Sequence, residues 1–167
     1  PLTYTYGPAD AGRYTFTVTL YNNESNLVRI TADSVPGGVH NESNPFNVSR
    51  NDMAKFRVTV ADPQTAGVPF DVFVEATDNW GNLVDNYVGY VELSGVSVNN
   101  APDGTAPVYG SYTFDGSEGG QAWISGTTLY CAQTNVRIHA GNLTDGYAGD
   151  SNAFDVNFGP PKEIVFK

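Results

Sequence analysis

Few residues in this sequence carry side chains suited to chemistry. The histidines are His40 and His139, and the sole cysteine is Cys131. A histidine titrates near neutrality and can serve as a general acid or base. It needs a nucleophile beside it, and no Gly-x-Ser-x-Gly turn occurs. One thiolate cannot build a zinc cluster, and one cysteine cannot close an internal disulfide. Cys131 therefore reads as a small strand residue, or as a link to another copy. Oxygen ligands for calcium crowd two places, Asp78, Asn82 and Asp85, and then Asp145 and Asp150. Calcium favours such loops. Asp and Asn are also ordinary turn formers whose side chains bond nearby backbone. Neither cluster has EF-hand spacing, so the turn reading is preferred. No catalytic residue, metal or other cofactor is expected.

Modification and contact remain. Sequons of the form Asn-x-Ser/Thr begin at Asn23, Asn41, Asn47 and Asn142, and each could accept an N-glycan. Asn23, Asn41 and Asn142 fall in expected loops, where a glycan would fit. Asn47 alternates outward between Phe46 and Val48. Phe73 and Tyr90 take the outward phase of their strands and are candidate interface aromatics.

Strands must position all of these residues. The chain is 40% hydrophobic but only 16% charged, against roughly 25% charged in ordinary soluble domains. Gly, Asn, Thr, Tyr and Val fill the gap, which favours strands and turns. Phe56, Val58 and Val60 alternate with polar residues, as do Phe70, Val72, Val74 and Ala76. Further strands are expected at Tyr87–Leu93, Tyr112–Phe114, Trp123–Tyr130, Asn135–Ala140 and Ala153–Phe158. Ser97–Pro107 reads as a long loop. Seven short strands with turns between them point to an antiparallel, immunoglobulin-like β-sandwich. No segment has helical periodicity.

The sequence also repeats itself. A shift of about 108 positions lays Val28-Arg29-Ile30 on Val136-Arg137-Ile138, Ala32 on Ala140, Ser43-Asn44 on Ser151-Asn152, Phe46 on Phe154 and Val48 on Val156. Gly12 lands on Gly120. The matches keep period-two phase, so the same face is buried in both copies. The expected layout is the C-terminal half of one repeat at 1–50, a complete repeat at 51–158, and the first strand of a third at 159–167. Short junctions at Ser49–Asp52 and Gly159–Pro161 imply abutted domains. A start within strand-like sequence at Leu2–Tyr6 suggests a piece of something longer. Thr31 stands where the later copy has His139, which argues against a catalytic role for that histidine.

The net charge is −10, with eight scattered basic residues. Nucleic acids and anionic lipid surfaces both require clustered cations, so neither is an expected partner. No run of 18 apolar residues is present, so no membrane span is expected.

The run from Ala66-Gly67-Val68-Pro69-Phe70 through Asp78-Asn79-Trp80-Gly81-Asn82 resembles the opening of bacterial and archaeal extracellular Ig-like surface repeats of the invasin-like type. Tyr87, Gly89, Val91, Leu93 and Ser94 match the next element, and Tyr14–Leu20 and Tyr112–Leu129 a later one. Gly119–Trp123 and Cys131 depart from the family's pattern. The resemblance covers nearly the whole chain through turn and core positions. It implies an extracellular, cell-surface protein that is not an enzyme: a segment of a filament, surface layer or stalk. Its partners would be neighbouring copies of the repeat, in cis or in a polymer. The alternatives are an adhesive or carbohydrate-binding module that meets glycans or a host surface, and an accessory region of a large secreted enzyme.

Overall fold

The computed structural model describes residues 2–159, with backbone alone at Ser25 and Asn26. They form two compact units that divide between Ser49 and Arg50. Among the described residues there is no α-helix, and no helix is long and apolar enough to cross a membrane. The strand expected in 159–167 lies, apart from Gly159, outside the described residues.

The first unit holds β1 (Glu24–Val28), β2 (Thr31–Asp33), β3 (His40–Glu42) and β4 (Phe46–Val48). β2 pairs antiparallel with β3, and β1 with β4. They make one bent, two-stranded ribbon. None of this unit's described residues is buried. The expected strands near Tyr4–Tyr6 and over Tyr14–Leu20 are absent, and only a 3-10 turn at Pro8–Asp10 precedes β1. The reason is that a strand is a pairing, not a propensity: its N–H and C=O groups need a neighbour. Tyr4, Tyr6, Tyr14 and Phe16 cluster ring against ring instead.

The second unit holds β5 (Lys55–Thr59), β6 (Gln64–Thr65), β7 (Phe70–Thr77), β8 (Val88–Val96) and β9 (Ser111–Asp115). It continues with β10 (Gln121–Thr127), β11 (Gln133–Gly141), β12 (Ala148–Asp150) and β13 (Phe154–Asn157). One sheet has the order β10-β7-β5. The other runs β6-β13-β11-β8-β9, with β12 also on β11. All pairs are antiparallel except β6 with β13. The short strands β6 and β12 went unpredicted because two or three residues show no alternation. β10 stops at Thr127 rather than Tyr130.

The two sheets face each other across one core. Phe56, Val58, Val72, Val74, Ala76, Ala122 and Ile124 come from the first sheet. Val91, Leu93, Phe114, Val136, Ile138, Ala140, Phe154 and Val156 come from the second. Each is the inward phase of an alternating strand, as anticipated. β12 stitches the layers at one edge. A Cβ at Gly149 would stand 1.9 Å from the Phe56 carbonyl oxygen, so only glycine lets β5 pass. Beside it, the Asn152 amide accepts from Val60 N–H at 3.0 Å and donates to Val60 C=O at 2.9 Å.

The ribbon of the first unit has a counterpart in the second at the 108-residue shift. The pairs Thr31↔Glu42, Ala32↔Asn41 and Asp33↔His40 fall on His139↔Asp150, Ala140↔Gly149 and Gly141↔Ala148. Val28↔Phe46 falls on Val136↔Phe154. The bend is held alike in both. The Ile30 N–H donates to Ser43 Oγ at 3.0 Å, and the Ile138 N–H to Ser151 Oγ at 3.0 Å. Ser43 N–H returns to Ile30 C=O at 2.9 Å, and Ser151 N–H to Ile138 C=O at 2.8 Å. Gly12 and Gly120 both have φ of 73°. Burial is what differs: Ile30 is 44% exposed, whereas Ile138 is fully buried.

That difference sets an expectation. Phe154→Ala should cost about 3–5 kcal/mol in urea unfolding, as for a buried ring. Phe46→Ala in this same chain should cost less than about 1 kcal/mol. Equal costs would mean that the first unit has a core of its own.

Candidate functional site

The outer face of the β10-β7-β5 sheet carries the most distinctive surface. Trp123, Phe73 and Thr59 sit in one cross-strand row. Alternation turns all three outward, because Val58, Val72, Val74, Ala122 and Ile124 point into the core. The Trp123 and Phe73 rings lie 4.7 Å apart at 37°. Phe73 is half-buried beneath this contact, while Trp123 is 66% exposed. The next row is Arg57, Glu75 and Gln121. Arg57 Nε donates to one Glu75 oxygen at 2.5 Å, and Gln121 Nε2 to the other at 2.8 Å. The Arg57 hydrogen bond holds the Glu75 carboxyl below its ordinary range, against the opposing effect of burial. A tilted aromatic pair in contact therefore adjoins a fixed, net-neutral row of planar polar groups.

Phe73 was legible from phase alone. Trp123 was not singled out, although Ala122 and Ile124 on either side of it signalled its outward direction. Tyr90 also points outward and is 46% exposed. It lies on β8 of the other sheet, opposite Thr113, so the two predicted aromatics do not share a surface.

The sequons divide. Asn23, Asn41 and Asn47 are exposed. Asn41 lies in β3 rather than in a loop, and Asn47 sits on the exposed phase of β4 between Phe46 and Val48. Asn142 corrects the expectation of an open loop, for it is 5% exposed. Its Nδ2, the atom a glycan would occupy, donates to Tyr87 Oη at 3.2 Å and Asp145 Oδ2 at 2.9 Å. Its Oδ1 accepts from the N–H groups of Thr144 and Asp145. This asparagine builds the turn between β11 and β12, and a glycan has no room there.

The acidic clusters are likewise spoken for. Asp78 is fully buried. It accepts from the N–H groups of Trp80, Asn82 and Asn51, and from Asn82 Nδ2 at 2.8 Å. Asp85 is exposed and bridges to Arg50 at 3.1 Å. Asp145 turns to Asn142, whereas Asp150 pairs with His139 Nδ1 at 2.6 Å. His40 pairs similarly with Asp33, which raises its pKa. Among the described residues, no three His, Cys, Asp or Glu side chains converge as a metal-ligand set. Cys131 is half-buried, with a free thiol.

Compared with family models and with curated proteins, the chain matches none.

Asp78 makes a sharp test of this geometry. Burial alone would raise its carboxyl, but bonds from Asn82, Asn51 and Trp80 outweigh that and hold it at about 2. A depressed folded-state pKa gives stability that is complete above the unfolded value near 4 and is lost as pH falls toward about 2. Asp78→Asn should lower stability at neutral pH by about 2–4 kcal/mol. Its melting temperature should fall less than the wild type's between about pH 4 and 2. Parallel curves would show that Asp78 does not carry this acid sensitivity.

Proposed function

We propose that this chain is a non-catalytic segment of an extracellular filament, surface layer or stalk, built from tandem Ig-like repeats about 108 residues apart. The observation that carries the reading is the coincidence, at that shift, of ladder register, serine clasp and glycine φ between the two units. Two unrelated segments would not share all three. In this reading, residues 1–50 are the closing half of one sandwich and 51–158 a complete one.

The Ig-like assignment draws support from strand order. β5, β7 and β10 occupy the places of strands A, B and E, and β13, β11 and β8 those of G, F and C. The parallel β6–β13 pair suits a first strand that switches sheets. Within the second unit, its first residues are tied down: Arg50 reaches Asp85 and Asn51 reaches Asp78. The resemblance to invasin-like surface repeats, the acidic net charge and the exposed sequons Asn23, Asn41 and Asn47 fit a cell-surface setting. Neighbouring copies are then the principal partners. His40 and His139 each pair with a surface carboxylate, an arrangement without a nucleophile.

Electron microscopy of the native protein tests this proposal. Continuous fibres, a lattice or rods with one regular axial repeat per domain are the expected result. Discrete globular particles would overturn it.

A further inference from the structure

We propose that the Trp123–Phe73 face of the second unit is a carbohydrate-binding platform for a neutral hexopyranose chain. The inference stands on this face alone and does not depend on the array. Leaving a tryptophan 66% exposed mid-strand keeps a large apolar surface in water. The fold does not require it, since the inward neighbours Ala122 and Ile124 already supply the buried face, and the residue 108 positions earlier is Thr15.

The chemistry selects the occupant. One face of a pyranose ring presents C–H groups, which suit the electron-rich face of an indole, while its rim presents hydroxyls that need planar donors and acceptors. Both are present here. Phe73 braces one side of Trp123, and the rest of the indole remains open. Gln121 lies two residues along β10 from Trp123, about 7 Å away, and Arg57 lies on the same face two strands across, on β5. Both are oriented by Glu75, and both residues are exposed. Arg57 and Glu75 cancel in charge, which matches a neutral ligand better than an acidic one. A second protein copy fits less well. Two rings and three polar side chains fall far short of the roughly 800 Å² per partner that a stable dimer buries. An open sheet face, by contrast, accepts an extended saccharide lying across the strands.

The two tryptophans, Trp80 and Trp123, make the test direct. Their indole N–H resonances, assigned with Trp80→Phe and Trp123→Phe, are followed by NMR in the full chain. The probes are cellohexaose, mannohexaose, chitohexaose and a high-mannose glycopeptide, each to about 10 mM, the range where weak binding is still read. The expected result is a saturable shift of Trp123 but not Trp80 with at least one probe. The responding probe distinguishes a matrix polysaccharide from a glycan on another copy. Trp123→Ala should weaken binding at least ~10-fold and Gln121→Ala about 3-fold, since stacking rings dominate such contacts. Neither should change the melting temperature by more than about 2 °C, as both positions are exposed. The proposal is overturned if no probe moves Trp123, or if Trp123→Ala binds as wild type does. It is equally overturned if sedimentation shows that Trp123 holds a dimer.

Discussion

Val136, Ile138, Phe154 and Val156 are dry because β5, β7 and β10 lie over them. A β-sheet cannot cover its own apolar face, so the opposing layer is the interaction on which the rest of this molecule depends. Where that layer is present, alternating strands extend to as many as nine residues, and Asp78 and Asn142 can be buried with their bonds filled. Where it is lacking, in residues 2–49, the same pattern yields a ribbon of three- to five-residue strands with its apolar residues wet.

That contrast explains what could be read in advance. Period-two alternation is local, so β5, β7, β8, β9, β11 and β13 were legible with only boundary errors. At the offset of 108 positions, period-two phase is kept in both segments, and the β2–β3 ladder has the register of β11–β12. Pairing is not local. The Tyr14–Leu20 run has the composition of a strand, yet none of the described residues pairs with it as a strand. Burial of turn residues was hidden for a related reason. Asn142 looks like any loop asparagine until Tyr87, 55 positions earlier, closes on it. The Asp78 turn was legible, but the reach of Asn51 into it was not.

Laid on each other at the 108-position offset, the two units also differ in informative ways. Positions that hold the fold agree: Ser43 with Ser151, Arg29 with Arg137, Gly12 with Gly120. Outward positions differ, as Thr15 against Trp123 and Thr31 against His139 show. Fold and surface thus vary separately, as expected where function is grafted on a shared scaffold. One core-edge position breaks this pattern. Asn41 stands where Gly149 lets the Phe56 backbone pass.

The central claim is that residues 1–50 are the closing half of a sandwich like the one that follows them. A chimaera tests it most directly: residues 51–108 joined to residues 1–50, in place of 109–158, made with and without Asn41→Gly. Hydrogen exchange at Val28 and Ile30 is the measurement. The account predicts a single cooperative unfolding transition in the Asn41→Gly chimaera, with both amides protected as Val136 and Ile138 are in the parent chain. Exchange at the unprotected rate in both versions, with no cooperative transition, would contradict it.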